Sequence, residues 1–185
     1  MVNRPKYKSL KRPLKQSRST LQPVDLDAIR GDIDIFVETG TNSGHGVRKA
    51  LDYDFKRVIS FEQNKTLYRG CVRRFRNNDR VELHLGHSES RLFQKLNDIE
   101  GRMLFFLDAH DRGINPLLSE LEAIKRLKRN DHIIMIDDVR MFDTPYWNHL
   151  KRQDVIDKLM EINKDYNITY TANLLKPDDI MIASP

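Results

Sequence analysis

Apolar positions along this chain fall in two rhythms. Short continuous runs predict buried strands over 33–38, 57–62, 81–85, 103–107 and 132–136. Between them, apolar residues recur at helical spacing and predict helices over 44–51, 65–76, 88–96 and 154–163. Asn115-Pro116 reads as the cap and first-turn proline of another helix, with Leu117, Leu121, Ile124 and Leu127 on one face. A short helix over 24–30 precedes the first strand. Two closing strands, 168–172 and 180–183, flank a turn at Lys176-Pro177-Asp178-Asp179. Strand–helix alternation with crossovers of this length predicts an α/β parallel sheet covered on both faces. Ligands then sit beyond the carboxyl ends of the strands.

The first of those ends organises the chain. Strand 33–38 runs into Glu38-Thr39-Gly40-Thr41-Asn42-Ser43-Gly44-His45-Gly46, and a helix starts at once. Glycines there permit a tight turn and close approach of a ligand to the main chain, and the free N–H groups of the helix start suit a polar or anionic ligand. The spacing is G-x-x-x-G-x-G. It differs from the dinucleotide pattern G-x-G-x-x-G, which argues against a nicotinamide dehydrogenase.

At 185 residues the chain reads as one domain of 25–185 behind a basic tail of 1–24. Residues 1–18 hold seven cations and no acid, more than the whole net charge of +5, so the remainder is net −2. Such a tail is either a solvated arm or a contact for nucleic acid, an anionic surface or a partner protein. Arg69, Arg73, Arg74, Arg76 and Arg80 form a second basic group on or after the 65–76 helix. Cys71, the one cysteine, excludes an internal disulfide and falls between Leu67 and Phe75 as buried filler. No apolar run reaches membrane-spanning length and no leader-like core opens the chain, so a soluble, cytoplasmic protein is expected.

Four of the first five strands end in carboxylates: Glu38, Glu62, Asp108 and the pair Asp137-Asp138. Like charges on one rim repel unless a cation or shared protons relieve them. Glu62 is placed to accept from two ribose hydroxyls, and Glu38 to hold the amino group of an amino-acid-like ligand. Together they suggest a ligand with a ribose at one end and a cationic group at the other, and S-adenosylmethionine has both. Asp108, Asp137 and Asp138 offer hard oxygen donors for a divalent metal, Mg2+ first. Asp137 and Asp138 point apart if the strand continues through both, leaving one as the direct ligand. His110 is a candidate general base. His45 and His87 sit in the presumed ligand loops. Tyr146 and Trp147, in the loop after the acid pair, either lid a substrate or close the end of the core.

With these residues assembled, the chain resembles the class I S-adenosylmethionine-dependent methyltransferases. It looks most like a group of small bacterial and viral proteins carrying E-T-G-T, L-D-A-H and I-D-D, matched here by Glu38-Thr39-Gly40-Thr41, Leu107-Asp108-Ala109-His110 and Ile136-Asp137-Asp138. A more distant similarity is to metal-dependent O-methyltransferases. The resemblance implies a Rossmann-like, doubly wound, mostly parallel seven-stranded sheet with the last strand antiparallel. It implies cofactor contacts from Glu38, Thr39, Gly40, Thr41, Asn42, Gly44, Glu62, Gln63, His87, Ser88 and Asp108, and a metal at Asp108, Asp137 and Asp138. Asn42 replaces the middle glycine of the class pattern, His87 stands where relatives often carry Asp, and His110 takes the place of a lysine. The implied reaction is O-methylation of a sugar, glycan or other small polar acceptor. The rivals are a nucleic-acid methyltransferase using residues 1–18 and a non-catalytic binding or structural protein of the same fold.

Overall fold

The computed structural model of the chain describes residues 20–110 and 115–185. The basic residues 1–18 lie outside them. Seven strands, β1 (Ile35–Thr39), β2 (Arg57–Glu62), β3 (Val81–Leu85), β4 (Met103–Leu107), β5 (Ile133–Ile136), β6 (Asn167–Thr171) and β7 (Ile180–Ser184), form one sheet in the order β3-β2-β1-β4-β5-β7-β6. β7 runs antiparallel to both its neighbours, and β1 to β5 are parallel. This is the mixed sheet implied by the resemblance.

Both faces are buried, which is why the central strands read as unbroken apolar runs. In β4, Met103, Phe105 and Leu107 enter one core with α4 (Ser88–Leu96), α5 (Leu117–Lys125) and α6 (Arg152–Ile162). Leu104 and Phe106 enter the other, with α1 (Leu26–Arg30), α2 (His45–Asp52) and α3 (Lys65–Phe75). Leu21 and Val24 are buried in that second core, so packing begins by residue 21.

Topology then places the site. The chain moves outward from β1 through β2 to β3 and returns to the other side of β1 as β4. Crossovers of one hand put α2 and α3 on one face and the helices after the reversal on the other. Between β1 and β4 the connecting loops diverge, and their carboxyl ends open into a crevice.

Boundaries shift by a few residues. β1 spans Ile35–Thr39 because Ile33 is still tied to Arg30 through a backbone hydrogen bond of 3.1 Å. α6 begins at Arg152, two residues before the expected start. Asn115 accepts from the Leu117 N–H at 2.8 Å, with Pro116 at the α5 cap position. The loop after β5 contains two short 3-10 turns, Val139–Met141 and Pro145–Trp147. Trp147 is buried against Phe142 and closes the core, whereas Tyr146 is exposed.

Candidate active site

The turn after β1 is held from beneath and behind. Gly40 and Thr41 donate their N–H groups to the Phe61 carbonyl at 3.0 and 3.1 Å. Gly40 has φ +82°, and an added β-carbon would lie 2.8 Å from the Asp108 carbonyl oxygen. Glycine is therefore required where the turn crosses β4. Cys71 Sγ donates to the Asn42 carbonyl at 3.3 Å, and the Arg74 guanidinium donates to the Ser43 carbonyl, so α3 pins the loop. Glu38 lies under the loop. Ser60 donates to its Oε2 at 2.7 Å, and a β-carbon on Gly46 would overlap its Oε1. Burial, opposed by that hydrogen bond, pushes the Glu38 carboxyl up to about 8.

Above the loop opens a cleft of about 690 Å³, in the range that small ligands fill. Gly40, Asn42, Glu62, Gln63, His87, Ser88 and Asp108 line it, together with His110 and Asp138. Glu38, Thr39 and Thr41 are buried below the loop, and Gly44 packs on Phe75 and Cys71. These four of the expected cofactor residues shape the loop without lining the cleft. Glu62 accepts the Asn42 N–H on one oxygen and the Asn64 N–H on the other, both at 2.7 Å. Each carboxylate oxygen keeps a second lone pair for a hydroxyl.

At the other end, Asp108 and Asp138 meet across His110. The imidazole Nε2 lies 3.0 Å from Asp138 Oδ2 and 3.9 Å from Asp108 Oδ1. One donor atom from each of the three falls within 4.8 Å of the others. The hydrogen bond that His110 donates to Asp138 raises the His110 pKa, and, against burial, His110 and Arg140 bring Asp138 below its ordinary value. Asp108 is pushed well up by burial and by Asp137, Asp138, Glu38 and Glu120.

The two acids of I-D-D part company. Asp137 turns inward, where Asn173 donates to its Oδ1 at 2.8 Å and the Asp138 N–H does the same. Asn173 also donates to Asp179 at 2.7 Å, and Asp179 takes the Arg140 N–H at 2.9 Å. A second close group of Asp137, Asp138 and Asp179 is therefore threaded by Asn173 and Arg140. The reversal depends on Asp138 itself, whose φ of +60° ends the strand.

No family model matches the chain, and no curated protein matches it in sequence. Solved structures do. The SAH-bound methyltransferase PaMTH1 of Podospora anserina is 19% identical, with 82% of this chain and 71% of that one covered and a TM-score of 0.53. Fibrillarin of Aeropyrum pernix with natively bound S-adenosyl-L-methionine is 16% identical over 82% of this chain and 66% of its own, TM-score 0.58. Spermidine synthase of Thermotoga maritima is 12% identical over 84% and 55%, TM-score 0.59. This is the Rossmann-like methyltransferase fold. Identities this low establish architecture alone, and a synthase among the neighbours makes the point that chemistry must be argued from the site.

Two residues of this methyltransferase fold escaped the sequence reading. Arg140 lines the cleft and pairs with both Asp138 and Asp179. Its signal was a cation two residues beyond an acid pair. Glu120 sits on the inward face of α5, three residues after Leu117, and is fully buried. Burial pushes its carboxyl up to about 7, against the pull of Ser88 and Thr39. A glutamate at an apolar-face position was the available signal. With Asp108, Asp137 and Trp147, Glu120 bounds a hole of about 10 Å³ beneath the cleft, room for one water. Glu120 Oε1, Asp137 Oδ2 and Trp147 Nε1, which have no partner among the described residues, supply two acceptors and a donor at its wall.

Proposed function

We propose that the protein is an S-adenosylmethionine-dependent methyltransferase acting on a hydroxyl of a sugar, glycan or other small polar acceptor. One observation carries this reading. A single cleft joins Glu62, with lone pairs to spare for a ribose, to the group of Asp108, His110 and Asp138.

The chain's part is mainly alignment. Glu62 would hold the ribose hydroxyls, with Gln63, His87 and Ser88 along the adenine side and the Gly40 turn against the methionine. Proximity and orientation supply roughly 7–11 kcal/mol in favourable cases. Leu175 and Tyr146, 58% and 48% exposed, present apolar surface near Arg140, Asp138 and His110. Apolar faces next to polar groups suit a sugar ring.

Two carboxylates and an imidazole at these separations also fit a divalent cation. Asp108, Asp138 and the neighbouring His110 would hold it, with Asp137 committed to Asn173. A cation there would lower the pKa of the acceptor hydroxyl. Asp108 and His110 are both held above their ordinary pKa values, so cation binding competes with protons and tightens as pH rises. During transfer the acceptor oxygen bonds to the methyl carbon, the carbon–sulfur bond breaks, and the hydroxyl proton passes to the deprotonated imidazole of His110 where that ring holds no cation, or to solvent water where it does.

Calorimetry with S-adenosylmethionine on the cofactor-free chain tests the reading. Binding is expected, and Glu62→Ala should weaken it at least tenfold. Asp108→Ala should retain it while turnover on a responsive acceptor drops by about 10²–10⁴. A wild-type chain that binds no S-adenosylmethionine ends the proposal.

A further inference from the structure

The structure divides the five arginines on and after α3 into two kinds. Arg74 holds the Ser43 carbonyl, and Arg80 is bound to Asp54 and to the Phe55 carbonyl. Arg69, Arg73 and Arg76 are exposed and have no ion pair among the described residues, and Lys65 joins them. Positions 65, 69, 73 and 76 are one helical turn apart, so the four cations form a single stripe about 17 Å long down the outer face of α3.

Local structure does not account for this stripe. The α3 segment contains no acidic residue, and its cap is the neutral Asn64. Like charges at i and i+4 oppose helix formation. The helix dipole favours cations near the last turn, which covers Arg73 and Arg76, but it opposes Lys65 in the first turn. Several long cations elsewhere are matched by acids, as Lys125 with Glu161, Lys158 with Glu122 and Glu161, and Arg57 with Glu82, whereas none of the four in this row is, among the described residues. Beside the stripe stand Thr66 and Gly70, and a β-carbon on Gly70 would meet nothing within 4 Å. The surface is open to close approach by an extended chain.

We infer that the outer face of α3 binds the sugar–phosphate backbone of a nucleic acid strand. A row of unpaired cations at one-turn intervals complements a polymer with a charge at every unit, and the guanidinium fork suits phosphate oxygens. The stripe begins next to Asn64, and Gln63, Asn64 and Leu67 belong to the cleft rim, so a strand on α3 ends at the cleft. The inference is independent of the methyl-transfer reading, because backbone binding needs neither the cofactor nor the acids.

The test is fluorescence anisotropy of a labelled single-stranded RNA, and of DNA of the same sequence, titrated with the full chain at several salt concentrations without S-adenosylmethionine. Four phosphate contacts from the stripe alone give a log–log salt slope of about −3, steeper if residues 1–18 contribute. The triple variant Arg69→Gln, Arg73→Gln, Arg76→Gln should make the slope shallower by about 2 and weaken binding at low salt at least tenfold, on RNA and DNA alike. Its circular dichroism should match wild type and its melting should be no lower, since the three side chains are exposed and their like charges oppose the helix. A second full-length variant, with the seven cations of residues 1–18 changed to glutamine, separates the tail from the helix. Loss of binding in that variant with the α3 variant unchanged overturns the inference. So does a wild-type chain that binds neither polymer.

Discussion

His110 and Trp147 give the acid cluster a built-in reporter. Their ring centroids are 6.0 Å apart, and Trp147 is the only tryptophan. A protonated imidazole quenches indole emission, so fluorescence should rise as His110 loses its proton. Asp138 holds that transition above the ordinary histidine value of about 6.5. Asp138→Asn should move the midpoint down, and an unmoved midpoint would break the assigned pair. Glu38 makes a second residue-scale case. Its carboxyl is lifted to about 8, so the folded chain holds a proton that the unfolded chain releases near 4.5. Its contribution is complete below that lower value and is lost as pH rises through 8. Glu120, lifted to about 7, acts in the same direction. Chemical denaturation at pH 5 and pH 8.5 should show wild type losing stability on the order of a few kcal/mol, with Glu38→Gln losing less. Polarity at single positions was legible where an acid ended an apolar run, as at Glu62 and Asp108. The facing of Asp137 and Asp138 was only half legible, because the positive φ of Asp138 turns the chain out of strand geometry.

Among the elements, two helical glycines predict opposite outcomes. Gly46 in α2 leaves no room for a side chain, since an added carbon would fall 1.7 Å from Glu38 Oε1. Gly46→Ala should destabilise the chain by about 1–3 kcal/mol through overpacking. Gly70 in α3 faces open space at ordinary helical angles, and Gly70→Ala should stabilise by about 0.4–1 kcal/mol. Urea denaturation of the two variants checks both signs. Seven strands and six helices were readable because their apolar spacing is strong and their caps are local, as with Asn64 on the Thr66 and Leu67 N–H groups. The 3-10 turns after β5 were not. The conformation of the first follows from Asp179, reached from 39 residues away, which ties down Arg140. Such a contact leaves no periodic trace.

For the molecule as a whole, cofactor binding and folding should be linked. At a hundredfold excess over its Kd, S-adenosylmethionine should add about 2.7 kcal/mol of stability. For a chain of this length that is roughly 5–10 °C in Tm, readable by differential scanning fluorimetry. That the sheet is parallel and covered on both faces followed from strand–helix alternation, whereas the strand order that creates the crevice is set by which strands pair across the chain and leaves no local trace. The cleft's extent did not follow either, since Arg140 and Leu175 reach it from the far half of the chain.

The contact between the Gly40 turn and the main chain of Asp108 has a consequence at this scale. On the proposed reading, a nucleoside pressing on the turn would bear on the strand end that carries Asp108. The two subsites would then share a wall, and if occupancy of one changes the affinity of the other, it does so by the same factor in each direction.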